Sequence, residues 1–376
     1  MKILHVITRL ILGGAQQNTV MNAVAQVRAG HDVMLAYGPI HGPEGSLLDE
    51  ARQSGATLFE IPTMVRAVDP WKDWQCYRAL RCLIREHKPD VVHTHSSKAG
   101  ILGRSAAWRE HVPAVIHTVH GLPFYDGQSR WQHGLYVHLE RWASRRCHHL
   151  IGITPAMRDA FVAQRIAKPD QFTIIPSGVD LSRFERDRPT RQGPLVVAIL
   201  ARLDALKGHD DLLDIFPQLL GRFPDLELWF IGDGWHRSHL EQRIAAMPCA
   251  DQIKLTGLVD HDRIASVLTQ VDVKVLPSYQ EGQSRTLIEA LLCGCGIVAY
   301  DVGGIPWVCI HNVTGKLVPV GDTQALADAI LWMLEHFDER QRLVKAGQAH
   351  VREHFDVRHM DQQIENVYTQ VLQSQR

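Results

Sequence analysis

Apolar residues recur in two rhythms along this chain. Short unbroken runs, such as Ile3-Leu-His-Val-Ile-Thr8 and Ile297-Val-Ala-Tyr300, read as strands buried on both faces. Between them lie longer stretches whose apolar residues return every three or four positions, as in helices with one buried face. The first strand runs into Gly13-Gly14-Ala15 and a helix reaching Val27. Asp32 to Tyr37 and Thr57 to Ile61 are the next strands, and Trp71 to His87 is an amphipathic helix. Val91-Val-His-Thr-His95 and Ala114-Val-Ile-His-Thr118 are strands on either side of a helix from Gly100 to Arg109. Helix Gln132 to Cys147 and strands Leu150 to Thr154 and Phe172 to Ile175 complete this part.

The rhythm breaks at Asp187-Arg-Pro-Thr-Arg-Gln-Gly-Pro194, a polar stretch with two prolines that reads as a linker. It resumes with strand Leu195 to Ala201, helix 209–222, strand 226–231, helix 236–246, strand 253–255 and helix 262–269. A last, long helical pattern runs over roughly 340–373. Two successive runs of alternating strand and helix predict an α/β protein of two doubly wound parallel-sheet domains. The expected domains are 1–187 and 188–354, with the C-terminal helix of about 355–376 packing back onto the first. Ligands of such sheets bind beyond the carboxyl ends of the strands, so two such domains facing a cleft place the expected site there.

The most informative stretch follows the buried strand Val271-Asp-Val-Lys-Val-Leu-Pro277. Glu281-Gly-Gln-Ser-Arg-Thr-Leu-Ile-Glu289 starts polar and continues into Ala290-Leu-Leu, so Glu289 sits in a helix apolar on nearly every side. A carboxylate in that setting needs a partner. At ~1.5 Å per residue the two acids lie on the order of 12 Å apart, about the separation of the two sugars in a nucleoside diphosphate sugar. The amides near Ser284, Arg285 and Thr286 would then meet the diphosphate at a helix N-terminus. Spacing alone equally allows a helix cap at Glu281 and a structural ion pair at Glu289.

Composition narrows the class without naming a chemistry. In 376 residues, 45% hydrophobic and 22% charged, there is enough apolar material for two ordinary soluble cores. Net charge is −1, but residues 1–190 carry about +6 and 191–376 about −7, which hints at an anionic surface or ligand near the first half. Seven cysteines without paired CxxC spacing fit a reducing compartment rather than a disulfide framework. Cys293, Cys295 and Cys309 read as packing residues. The N-terminus reads as a strand rather than a signal peptide, and no apolar run approaches the ~18 residues of a membrane span.

Ala201-Arg202-Leu-Asp-Ala-Leu-Lys207-Gly208 follows the first strand of the second domain, and two cations there suit a diphosphate. Gly13-Gly14 would allow close backbone approach to a ligand, but the pattern is not GxGxxG and no acid follows the second strand, so a dinucleotide site is not expected. Among 22 histidines, His93 and His95 share one strand face, His117 and His120 flank another, and His120-Gly121 is best placed to meet a ligand. No metal is expected at these histidines, and Asp260-His-Asp262 reads as a helix N-cap rather than a metal-binding pair. Trp71, Trp74 and Tyr77 beside Arg78, Arg81 and Arg85, like Trp131, Tyr136 and Trp142 beside Arg141, Arg145 and Arg146, suit helices lying on an anionic membrane. A core-facing aromatic stripe fits the same residues, and nothing resembles a nucleic-acid module.

Together these residues resemble the retaining glycosyltransferases of family 4, which have a GT-B fold, over nearly the whole chain. Most specific is the pair Glu281 and Glu289 with Arg202 and Lys207 upstream. The resemblance implies that Glu281 touches the donor sugar, Glu289 the ribose, and Arg202 and Lys207 the diphosphate. It implies Gly14 near the diphosphate, His120 facing sugar and acceptor, and Leu258 and Val259 beside the nucleobase. Gln16 and Gln17 stand where the family's glycine loop continues to Glu, and Gln283 and Ser284 replace a more apolar or Pro/Gly pair. His93-Thr-His-Ser-Ser-Lys-Ala-Gly-Ile-Leu-Gly-Arg104 looks like the branch that builds bacterial exopolysaccharide, capsule or lipopolysaccharide.

The implied reaction is transfer of a hexosyl or N-acetylhexosaminyl group from a nucleotide sugar, a UDP-sugar being the expected donor, with retention at the anomeric carbon. The implied acceptor is a glycan or lipid-linked glycan. No cofactor or metal is expected, because Arg202, Lys207 and the helix dipole can stabilise the leaving diphosphate. The implied location is cytoplasmic, peripheral on the inner face of the cytoplasmic membrane where the acceptor is lipid-linked. A UDP-sugar epimerase on the same fold and a catalytically silent nucleotide-sugar-binding scaffold are the competing classes.

Overall fold

A computed structural model describes residues 1–40, 45–124, 128–185 and 193–375. The chain divides into two compact units, Met1–Gly178 with Val357–Arg376, and Val179–Asp356. Residues 187–192 of the expected linker lie outside the described residues. The first unit ends at Gly178, ahead of the bound read from composition, because Val179, Leu181 and Phe184 are buried in the core of the second.

The first unit contains β1 (Lys2–Arg9), α1 (Gly14–Arg28), β2 (Asp32–Gly38), α2 (Leu48–Gln53), β3 (Thr57–Glu60), α3 (Pro70–His87) and β4 (Val91–His95). It continues with α4 (Ser97–Arg109), β5 (Ala114–Val119), α5 (Arg130–Ser144), β6 (His149–Gly152), α6 (Pro155–Ala163) and β7 (Phe172–Ile174). The strands form one seven-stranded sheet in the order β3-β2-β1-β4-β5-β6-β7. Every described strand pair in it is parallel. Local chemistry sets the helices. In α3, Asp69 accepts bonds from the amides of Trp71 and Lys72, Pro70 opens the first turn, and Cys76, Leu80 and Ile84 make the buried stripe.

The second unit contains β8 (Val196–Leu200), α7 (His209–Leu220), β9 (Glu227–Ile231), α8 (Arg237–Ala245), β10 (Ile253–Gly257), α9 (His261–Leu268) and β11 (Val273–Leu276). After these come α10 (Arg285–Leu292), β12 (Gly296–Tyr300), α11 (Ile305–Val308), β13 (Lys316–Val318), α12 (Thr323–Glu335) and α13 (Phe337–His354). Its six strands run in the order β10-β9-β8-β11-β12-β13, with every described pair parallel. In both sheets the order reverses beside the first strand, so each unit has a switch point at the carboxyl ends of its two middle strands.

The long helical pattern near the C-terminus is two helices, with the second starting close to the expected 355. Helix α13 stops at His354, and the amide of Val179 bonds the carbonyl of Phe355 at 2.8 Å while Phe355 itself is fully buried. Helix α14 (Val357–Ser374) then packs Met360, Ile364, Val367, Tyr368 and Val371 against Ile3, Val91, Ala114 and Ile116 of the first unit. Both helices bury a 3.6-period stripe, so the apolar pattern runs on through the break.

Asp260 holds the N-cap position of α9, but its side chain makes no capping bond, and Asp262 pairs with Arg183. On α3, Trp71 and Trp74 stack at 5.1 Å and are 64% and 46% exposed, so they are no part of the core stripe. Arg78 lies over Trp74, whereas Arg81 and Arg85 are held by Glu110 at 2.5 and 2.6 Å.

Candidate functional site

In the second unit, Arg202, Lys207 and Glu281 lie in the loops that follow β8 and β11, beside the switch point. Arg202 follows β8 and lies 3.4 Å from the carboxylate of Asp204, its side chain half exposed. A single helical turn, Ala205–Lys207, then leads to Gly208, which opens α7 at φ +69°. A Cβ at Gly208 would lie 2.0 Å from the carbonyl oxygen of Pro277, so only glycine lets this turn close onto the end of β11. The amide of Tyr279 bonds the carbonyl of Leu206 at 2.9 Å, which ties the two loops together. Across this seam Lys207 Nζ donates to Glu281 Oε2 at 2.6 Å.

Glu281 sits in the loop before α10, and its backbone is braced from a third strand. Gly303, just after β12, has φ +56°, and a Cβ there would lie 2.0 Å from the Glu281 carbonyl oxygen. Ser284 is the N-cap of α10, and its hydroxyl meets that of Thr286 at 3.2 Å rather than capping the helix. Glu289 is buried one turn after Arg285, which is buried too. Burial pushes the Glu289 carboxyl up to about 7, against the opposing pull of Arg285, Lys274 and Arg183.

Two charged or titratable residues beneath this site escaped the sequence reading. Lys274, inside β11 and wholly buried, bonds the carbonyl of Val275 at 3.1 Å; burial pulls its ammonium down to about 7, with Glu281 and Glu289 opposing. His209 opens α7 wholly buried, and burial lowers it to about 4. Leu258 is exposed in the loop after β10, while Val259 packs partly against the core.

In the first unit, Gly14 opens α1 after β1, and His120 follows β5, both at the carboxyl end of the sheet. Behind His120 lies a buried cluster that the sequence suggests only in part. His95 Nδ1 meets His120 Nε2 at 3.0 Å, and His95 Nε2 meets His5 Nδ1 at 3.0 Å. His5 Nε2 meets Gln26 Oε1 at 2.7 Å, Gln26 Nε2 donates to the Tyr368 hydroxyl at 3.3 Å, and that hydroxyl meets His93 Nδ1 at 2.6 Å. Ser96, just past β4, has φ +62° and ψ 158°, a backbone region that side chains rarely adopt, and its hydroxyl meets that of Thr8 at 2.8 Å.

Burial holds His5 down at about 4 and pulls His93, His95 and His117 well below 6.5. The unfolded chain takes up protons at these histidines near pH 6.5, whereas the folded chain resists until far lower pH. Stability present above 6.5 is therefore lost as pH falls toward about 4, by up to about 1.4 kcal/mol per pH unit for each histidine. Chemical denaturation at pH 7.5 and pH 5 is expected to show a lower midpoint at pH 5. An unchanged midpoint would mean that these rings take up protons as readily in the fold as in the unfolded chain.

The pattern of the family described as "Glycosyltransferase Family 4" matches residues 12–183, and that of "Glycosyl transferases group 1" matches residues 182–350. The chain is similar to an Escherichia coli UDP-Gal:alpha-D-GlcNAc-diphosphoundecaprenol alpha-1,3-galactosyltransferase, 27% identical over 88% of this chain and 87% of that protein. It is also similar to a Mycobacterium tuberculosis glycogen synthase, 25% identical over 92% of this chain and 88% of that one. Among solved structures, Anabaena HepE in complex with UDP and glucose superposes with a TM-score of 0.84 at 21% identity, covering 98% of this chain and 99% of that one. That likeness is one of fold.

Proposed function

The chain belongs to glycosyltransferase family 4 and is a glycosyltransferase, and from that premise we propose that it moves a sugar from a UDP-sugar to a lipid-linked or free glycan in building cell-surface polysaccharide, with retention at the anomeric carbon. The observation that carries this reading is the Lys207–Glu281 contact of 2.6 Å across the β8/β11 switch point. A diphosphate competes for that ammonium, which frees the carboxylate to accept bonds from the donor sugar. Arg202 adds a second cation, and the N-terminal amides of α10 add oriented dipoles, so departure of UDP is stabilised without a protein nucleophile. Attack from the face the diphosphate leaves accounts for retention. Glu289 is assigned to the ribose hydroxyls and the 258–259 loop to the base.

Support for the donor and acceptor classes comes from relatives. The Escherichia coli protein is named for UDP-galactose and a diphosphoundecaprenol acceptor, and a protein superposing on this fold holds UDP. The exposed, stacked Trp71 and Trp74 with Arg78 favour a first unit resting on an anionic bilayer, where a lipid-linked acceptor lies.

A thermal-shift screen across UDP-, GDP- and ADP-sugars tests the donor. A ligand at 100 times its dissociation constant adds ~2.7 kcal/mol of stability, and only UDP-sugars are expected to raise the melting temperature. Glu289→Gln is expected to weaken UDP binding about tenfold, the loss of one charge-assisted bond. Glu281→Gln should leave UDP binding intact and lower transfer. Two variants that bind and transfer like the parent would remove both assignments.

A further inference from the structure

The six ring nitrogens of His5, His93 and His95 are all hydrogen-bonded, and the partners differ in what they can do. An amide oxygen only accepts, so the 2.7 Å contact with Gln26 Oε1 places the proton of His5 on Nε2. His5 Nδ1 is then a lone pair, and His95 must donate to it from Nε2 at 3.0 Å. His95 Nδ1 is in turn a lone pair, and His120 must donate to it from Nε2, also at 3.0 Å. The other end of the same amide fixes a second branch. Gln26 Nε2 donates to the Tyr368 hydroxyl, which gives its own proton to His93 Nδ1 at 2.6 Å, and His93 Nε2 donates to Thr118 Oγ1 at 2.7 Å. Burial keeps His5, His93 and His95 neutral, so each ring has one donor and one acceptor nitrogen.

We propose that Gln26 is a positioning residue whose amide, acting through His5 and His95, fixes the proton of His120 on Nε2 and leaves its Nδ1 as the lone-pair nitrogen. The chain joins α1, β1, β4 and the end of β5, and Tyr368 ties it to α14. His120 Nδ1 is buried in the structure, and a hydroxyl of sugar or acceptor that displaces its cover would meet His120 as an acceptor rather than a donor. This consequence for transfer rests on the reading of His120 as the histidine facing sugar and acceptor; the proton arrangement does not. One ring nitrogen from each of His5, His93 and His95 lies within 4.8 Å of the other two, near enough to hold a metal ion. A metal would have to displace hydrogen bonds that already account for every one of those nitrogens.

Two-bond proton–nitrogen correlation spectra of the full chain, with ring-labelled histidine, read the tautomers directly. His120→Gln and His93→Gln assign the signals. In the parent at pH 7.5, His120 is expected as the Nε2–H tautomer, and so is His93. In Gln26→Glu the carboxylate accepts from both His5 and Tyr368, so His120 keeps its tautomer while His93 switches to Nδ1–H. The new negative charge favours a proton on the chain, and the acid limb of the kcat profile moves up by about one pH unit. Arg104 beside His117, and Asp361 and Glu365 beside Tyr368, are the same in both proteins, so the difference isolates position 26 and the Tyr368 hydroxyl bonded to it. In Gln26→Leu the anchor is gone, the His120 signal splits between tautomers, and kcat falls about tenfold with the donor KM unchanged. An Nδ1–H tautomer at His120 in the parent, no switch at His93 in Gln26→Glu, or loss of the His5, His93 and His95 proton signals on adding zinc would overturn the proposal. Tautomers as expected with unchanged kcat in every variant would uphold the chain and overturn only the role of His120 in transfer.

Discussion

Lys207→Ala is expected to lower the transfer rate by about a hundredfold, ~2.7 kcal/mol, the size of effect seen when a preorganised donor to a developing anion is removed. Two losses combine in this variant. The leaving diphosphate loses a point charge placed at the switch point, and Glu281 loses the ammonium that lies 2.6 Å from its carboxylate. Arg202→Ala should cost less, about tenfold or ~1.4 kcal/mol, because the Arg202 side chain is half exposed and already beside Asp204. Steady-state rates with a UDP-sugar and a lipid-linked acceptor measure both. The Lys207→Ala/Glu281→Gln double variant should fall well short of the sum of the single losses, since the two groups act as one unit. EDTA should leave the parent rate unchanged. An enzyme stopped by EDTA and restored by manganese would transfer the electrostatic role from Lys207 to a metal.

What could be read in advance divides by the range of the interaction. The β11–α10 unit is legible because strand, polar loop and all-round apolar helix are contiguous, and Glu281 and Glu289 both lie within that one stretch. Both sheets were legible because parallel strands covered on two faces leave unbroken apolar runs. The break between α13 and α14 was not, since a buried Phe355 continues the same periodicity that a single helix would show. Nor was the histidine chain, whose members are joined across 21, 90 and 275 residues of sequence. HxH on a strand shows that two rings share a face, but no local pattern says that a glutamine on α1 will orient them. Lys274 stands in a strand otherwise apolar, and only its complete burial distinguishes it from a strand-edge lysine.

Gly303→Ala is expected to remove most activity from a protein that still folds. The position carries two separate demands. At φ +56° an alanine costs ~1–2 kcal/mol from its own backbone. Its Cβ would also lie 2.0 Å from the carbonyl oxygen of Glu281, with the carbonyl carbon at 3.1 Å, and neither atom belongs to a side chain that can swing away. Relief requires the 281 loop or the 303 turn to move by about an ångström, and a shift of that size at a reacting centre costs on the order of a hundredfold in rate. Gly30→Ala separates the two demands, because Gly30 has φ +85° and no atom within 4 Å of a Cβ placed there. Both variants should melt a few degrees below the parent, at roughly 2–4 °C per kcal/mol for units of this size. Only Gly303→Ala should lose transfer, and it should lose it with UDP binding largely kept, because Lys207, Glu289 and the amides of α10 stay in place. Equal activity in the two alanine variants would mean that the Glu281 backbone can yield without moving its carboxylate, and the brace from β12 would then have no part in catalysis.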